Sequence, residues 1–282
     1  MKEYDDNTLK RVQQYEMSIL KDFIDVCEEY NLTYFALAGT GIGALRHKGF
    51  IPWDDDIDVG LPRKDYEKLL EVFEQKYSDK YQIGNAEHME NYPLMTTRIM
   101  IRGTKFVEEP LKNVKCDLGI FLDVYAFDNA AVDEKGFKRQ ALTAWFWSKI
   151  LILRHIAYPV LPFSGLKKKL AHLVCAVAHG MLVLFRISPR WIYQQCKKAS
   201  CRYNDVETKR IAYFCDTSPY INIIDKEKSY PLIELEFEGI QLKFPKDLHD
   251  MLTFTYGDYM KLPPVEKRKN HYPYCLEFKE DE

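Results

Sequence analysis

The chain has 282 residues, of which 46% are apolar and 29% charged, the proportions of a globular protein with one large core and not of a disordered chain. Forty Lys and Arg stand against 42 Asp and Glu, a near-balance that speaks against a dedicated nucleic-acid binder with a basic face. Seven cysteines, with no Cys-x-x-Cys pair, exclude a disulfide framework or a zinc module and fit free thiols in a reducing cytosol.

The N-terminus is acidic and lacks an apolar core, so no signal peptide is expected. Residues 8–30 place Leu9, Val12, Ile19, Leu20, Phe23, Val26 and Cys27 at helical spacing, with charges on the opposite face. A short β-like run, Thr33 to Ala38, ends at Gly39-Thr40, and residues 41–47 suit one or two helical turns. Ile57 and Val59 then alternate with Asp56 and Asp58, the pattern of a strand with both carboxylates on one face. Pro62 opens a helix running to about residue 76. Further strands are expected at 94–102 and 118–126, and a hairpin turning at Glu238-Gly239. Residues 134–204 read as long helices inserted into the α/β core, so the chain divides into 1–133, 134–204 and 205–282. The proline-rich close holds one short helix near 246–256.

Chemistry concentrates at Asp54, Asp55, Asp56 and Asp58. Carboxylates crowded on one strand face repel unless a cation neutralises them, and hard oxygen ligands suit Mg²⁺ or Mn²⁺. Asp123, flanked by apolar residues in a second strand, can face the pair and complete the site, because a lone buried carboxylate is expensive. The glycine-rich stretch upstream lacks the spacing of a P-loop or a dinucleotide fingerprint.

The run Leu37-Ala-Gly-Thr-Gly-Ile-Gly-Ala-Leu-Arg-His-Lys-Gly-Phe-Ile-Pro-Trp-Asp-Asp-Asp-Ile-Asp-Val-Gly60 resembles the signature of the LicD family. That family comprises bacterial phosphocholine transferases and fukutin-type sugar-phosphate transferases on a nucleotidyltransferase fold. Gly119-Ile-Phe-Leu-Asp-Val-Tyr125 and Tyr256-Gly-Asp-Tyr-Met-Lys-Leu-Pro-Pro264 resemble its second acidic strand and its closing motif. The resemblance implies a mixed α/β (α+β) nucleotidyltransferase-like sheet flanked by helices. It also implies transfer of phosphocholine from CDP-choline to a sugar hydroxyl of a glycan, teichoic acid or lipid-linked oligosaccharide, with release of CMP.

Within that frame Asp56 and Asp58 are expected to hold the metal, Asp123 to be a third ligand or the general base, and Asp54 an outer ligand. Asp55 should point elsewhere. Gly39, Thr40, Gly43, Arg46, His47, Lys48, Trp53, Arg63, Arg98, Lys267, Arg268 and His271 are the expected substrate-binding set. A choline cage would draw on Trp53, Tyr125, Phe127, Tyr256 and Tyr259. The competing readings are a CDP-ribitol or CDP-glycerol donor, a nucleotidyltransferase releasing pyrophosphate, and a non-catalytic nucleotide- or glycan-binding relative. Residues 145–187, with aromatic and basic groups around an apolar stretch, fit either a peripheral membrane contact or an ordinary buried helical pair. The expected location is the cytoplasm, with the inner membrane face following from the first of these readings.

Overall fold

The computed structural model describes residues 4–268 and 270–279. Helix α1 (Asp6–Glu29) starts where the Asp5 carboxylate caps the Thr8 amide, as an N-cap should. Its apolar stripe buries Val12, Ile19, Leu20, Phe23 and Val26, each worth about 1.5–3 kcal/mol of transfer free energy. Strand β1 (Phe35–Ala36) is only two residues long, because helix α2 (Ala38–His47) already begins at Ala38 and takes in the glycine-rich stretch. Gly43 is required there: a Cβ would lie 2.3 Å from the Gly49 carbonyl oxygen.

Strand β2 (Asp58–Pro62), helix α3 (Arg63–Lys76), β3 (Tyr81–Gly84), β4 (Thr97–Ile101), β5 (Lys105–Glu108) and β6 (Phe121–Asn129) follow. The main sheet runs β1-β2-β6-β4-β3. The β2–β6 pair is parallel, and β4–β6 and β3–β4 are antiparallel. Helices α1 and α3 pack on it to make the largest core, with Leu69, Leu70, Val72 and Phe73 from α3 against Val59, Leu61, Leu122 and Val124. The expected α/β core with a mixed sheet is therefore present. Strand β2 begins at Asp58, so Asp56 lies just ahead of it and not within it.

After β6 the chain leaves the sheet as helices α4 (Glu134–His155), α5 (Gly165–Leu184) and α6 (Pro189–Ser200). It returns as β7 (Arg210–Tyr213), which pairs with the end of β6, and β8 (Asn222–Asp225), which pairs with β7. Phe137, Ala141 and Ala144 of α4 pack on Cys196 and Ala199 of α6 and on Ala212 and Phe214. Helix α5 by contrast buries no residue at all. The short helix α7 (Lys226–Ser229) leads to β9 (Ile233–Phe237) and β10 (Ile240–Phe244). Their turn is Glu238-Gly239 as expected, both residues at positive φ, the geometry of a two-residue hairpin. Helix α8 (Leu248–Tyr256) and strand β11 (Pro273–Glu277) complete the chain. Strand β11 pairs with β5 and brings the C-terminal segment back across the sheet.

Candidate active site

The register of the central strands builds the site. Asp58 of β2 stands opposite Asp123 of β6, and Asp123 opposite Arg98 of β4, so three charged side chains share one rank of the sheet. The turn ahead of β2 adds Asp56. Carboxylate oxygens of Asp56, Asp58 and Asp123 lie within 4.8 Å of one another, an all-oxygen donor set that fits a hard divalent cation. Burial, with Asp56 and Asp123 close by, pushes the Asp58 carboxyl well above the usual range; burial does the same for Asp56 against the pull of His271. Asp123 is also raised by burial, against the pull of Arg98. A divalent cation between these oxygens would remove the repulsion that protonation otherwise relieves.

Neighbours hold each acid in place. The Tyr125 hydroxyl donates to Asp58 Oδ1 at 2.9 Å, and the Asp58 amide donates to the Thr40 hydroxyl at 2.9 Å. Arg98 is 4% exposed; its Nε donates to Asp123 Oδ1 at 3.0 Å and its Nη1 to Glu108 Oε2 at 2.7 Å, over the face of Phe121. Asp55, fully buried in the turn ahead of β2, is not one of the three converging acids. It accepts from the Tyr4 hydroxyl at 2.6 Å and from the His271 amide at 2.7 Å, tying the N-terminal helix and the C-terminal segment to the acidic turn. His271 Nδ1 then sits 3.4 Å from Asp56, and that carboxylate above all pushes the half-exposed imidazole up to about 11. Asp54, crowded by Asp55 and Asp58, is pushed up to about 7, burial being the larger cause. Gly39 leaves room for it, since a Cβ there would lie 3.0 Å from Asp54 Oδ2.

Gly39, Asp54, Asp56, Asp58, Asp123, Tyr125 and His271 line a cleft of about 530 Å³ together with Ala38, Asp216, Tyr256, Arg268 and Asn270. A second cleft of about 490 Å³ continues from it, sharing Gly39, Asp54, Tyr256 and Arg268 and adding Arg46, Trp53, Lys261 and Lys267. One groove thus runs from an acidic half to a basic half. The first residues of α2 open onto both, and a helix N-terminus favours anions. Arg268 lies 4.2 Å over the Trp53 ring, which fixes the boundary between the halves.

Of the expected substrate-binding set, Gly39, Arg46, Trp53, Lys267, Arg268 and His271 line this groove. The others stand elsewhere. Arg63 sits at the far end of β2, in a separate cleft of about 650 Å³, bonded through two nitrogens to Asp128 at 2.9 and 2.8 Å. Arg98 is spent on Asp123 and Glu108, Thr40 on the Asp58 amide, and Gly43 on helix packing. His47 accepts from Arg46 Nε, and Lys48, largely exposed, pairs with Glu236. Among the aromatic candidates, Phe127 and Tyr259 are buried, Trp53 lies under Arg268, and Tyr125 and Tyr256 line the acidic half.

Two site residues carried no signal in the sequence. Asp216 follows β7, and its carboxylate accepts from Asn222 at 2.8 Å while Lys149 and Trp145 of α4 bond its carbonyl. Glu108, on a strand too short to show alternation, is reached only through Arg98. Beneath the turn, Glu16 of α1 is fully buried with neither carboxyl oxygen hydrogen-bonded, and burial together with Asp55, Asp56 and Asp54 raises it well above the carboxylate range.

Residues 31–112 match the family described as LicD/FKTN/FKRP, nucleotidyltransferase domain. The lipopolysaccharide cholinephosphotransferase LicD of Haemophilus influenzae is 31% identical over 277 residues, 94% of this chain and 96% of that protein. Two uncharacterised rickettsial proteins match shorter stretches, that of Rickettsia prowazekii at 31% over 36% of this chain and 43% of its own length. The Rickettsia typhi protein is 33% identical over 27% of this chain and 25% of its own. Near end-to-end likeness to this relative at 31% identity, together with the matching domain over residues 31–112, means that the chain belongs to the LicD family.

Proposed function

We propose that this LicD-type transferase moves phosphocholine from CDP-choline to a hydroxyl of a lipopolysaccharide or related cell-surface saccharide and releases CMP. The convergence of Asp56, Asp58 and Asp123 beside a basic, helix-capped groove carries this reading, and the Haemophilus relative points to the transferred group and acceptor class. Asp56, Asp58 and the oxygen of Asp123 not held by Arg98 form the ligand set for Mg²⁺ or Mn²⁺, with Asp54 outside it. The bound ion supplies charge neutralisation of the diphosphate.

The protein's own groups position and balance charge, which is most of the catalysis that a phosphoryl transfer needs. Arg46, Lys267, Arg268 and the protonated His271 hold the diphosphate and CMP along the basic half. Tyr125, Tyr256 and the Asp216 carboxylate face the acidic end; aromatic faces with an anion recognise a quaternary ammonium, which offers no hydrogen-bond donor. The acceptor oxygen bonds to the phosphorus carrying choline as the bond to CMP breaks. Its proton passes to solvent water in the open cleft, since one Asp123 oxygen is held by Arg98 and the other belongs to the ligand set.

The test is incubation of the protein and acceptor with radiolabelled CDP-choline, CDP-ribitol, CDP-glycerol or a nucleoside triphosphate, in magnesium or in chelator. The expected result is magnesium-dependent labelling of the saccharide from CDP-choline with stoichiometric CMP. Labelling from CDP-ribitol or CDP-glycerol alone overturns the assignment of choline, and pyrophosphate release from the triphosphate overturns the reaction class.

A further inference from the structure

We propose that helix α5 is a docking surface for an anionic lipid bilayer, on which it lies along the membrane plane. This inference does not depend on the reaction assigned above.

Helix α5 is amphipathic the wrong way round for a protein standing free in water. Its two histidines turn inward and are tied to the protein, His172 to the Pro159 carbonyl at 3.0 Å and His179 to the Leu153 carbonyl of α4 at 2.8 Å. Its apolar side chains turn outward. Leu166, Leu170, Leu173, Val177, Met181 and Leu184 recur every three or four residues and are each at least half exposed. A surface helix normally shows the reverse arrangement. A contiguous exposed apolar stripe of this length marks a surface that meets something apolar.

Charge selects the occupant. Between Lys135 and Asn204 the chain carries 13 Lys and Arg and not one Asp or Glu. The rest of the chain carries 27 basic residues against 42 acidic. The near-neutral total therefore conceals a strongly basic helical segment on an acidic body. Lys167, Lys168 and Lys169 stand in the first turns of α5, and Arg186 and Arg190 follow its end, so cations flank the apolar stripe at both ends. A stripe bordered by cations is the pattern of a helix lying at a lipid interface, with the apolar face below the headgroups and the lysines among anionic phosphates. No single helix among the described residues is long and apolar enough to cross a membrane; α5 passes that test only together with α6, bent from it by 111°, and α6 buries Ile192, Tyr193 and Cys196 in the protein. Helix α4 joins this surface to the groove, since it bonds α5 through Leu153 and holds Asp216 through Trp145 and Lys149.

The full chain is sedimented with vesicles of phosphatidylcholine alone or with about a third phosphatidylglycerol. Binding is expected to the anionic vesicles only and to weaken in high salt. The variant K167Q/K168Q/K169Q should bind about a hundredfold more weakly, at roughly fivefold per lysine. The variant L170Q/V177Q should also lose binding; because α5 buries no residue, neither variant should alter the circular dichroism or the melting temperature. Absence of binding by the parent chain, equal binding to both vesicle types, or unchanged binding by both variants overturns the proposal. A dimer in analytical ultracentrifugation that L170Q/V177Q converts to monomer also overturns it, in favour of a second copy on the stripe.

Discussion

Replacing Asp58 with Asn separates stability from function at the acidic cluster. Asp58 is 6% exposed and shares a 4.8 Å neighbourhood with the carboxylates of Asp56 and Asp123. Two like charges at that distance repel by about 3.5 kcal/mol at an effective dielectric of about 20. Burial and these neighbours raise the Asp58 carboxyl in the folded protein, and at pH 7 such a raised carboxyl costs at most about 4 kcal/mol relative to an unfolded Asp with a pKa near 3.9. Asn removes the charge while its carbonyl still accepts from Tyr125. The metal-free variant should therefore be about 2–4 kcal/mol more stable than the parent at pH 7, a rise in Tm of about 4–16 °C. The sign follows from the raised pKa: the parent loses stability as pH rises from about 4 through the folded value, so the gain should vanish below about pH 4. Magnesium should reverse the order, adding about 2.7 kcal/mol to the parent at a hundredfold excess over Kd and nothing to the variant. Differential scanning calorimetry in EDTA and in magnesium reads both quantities. A variant no more stable than the parent in EDTA, or one that magnesium stabilises equally, would refute the reasoning.

The Asp56→Asn variant should fold and lose at least about two to three orders of magnitude of kcat; near-normal turnover by the purified variant would remove Asp56 from the metal-binding role. Arg98→Met strands Asp123 and Glu108 as buried, unpaired carboxylates and should cost about 3–5 kcal/mol in urea denaturation, much of it recovered in the double variant R98M/E108Q. If R98M costs under 1 kcal/mol, Arg98 is not what holds Asp123. Glu16→Met removes a buried carboxyl without a hydrogen-bond partner and should stabilise the protein by about 1–3 kcal/mol at pH 7. Because burial raises the Glu16 pKa, the parent should lose more stability than the variant between pH 4.5 and 8, measured as paired melting curves. Parallel pH profiles would show that Glu16 is not held neutral.

What could be read in the sequence was whatever depends on local spacing. The stripe of α1, the turn at Glu238-Gly239 and the strand through Asp58 and Val59 each follow from local spacing. The acidic convergence was legible because repelling carboxylates need a common partner. The cations were not: Arg63, Arg98 and Arg268 are alike in sequence, and only strand order assigns them. The pairing of β4 with β6 puts Arg98 on Asp123, whereas the end of β6 gives Arg63 to Asp128. Strand β11 was hidden because it opens on a proline and gains its partner, β5, from a segment more than 160 residues away. Asp216 is held at the groove by α4 through its carbonyl and by Asn222 through its carboxylate, contacts between segments that carry no shared pattern.

Crystals soaked in manganese, measured for anomalous scattering, test the central claim most directly. The account predicts one strong peak about 2.0–2.3 Å from oxygens of Asp56, Asp58 and Asp123 together. A peak on Asp55, Asp56 and His271, the other grouping of ligand-type side chains near the cleft, or no peak among these residues, would contradict it.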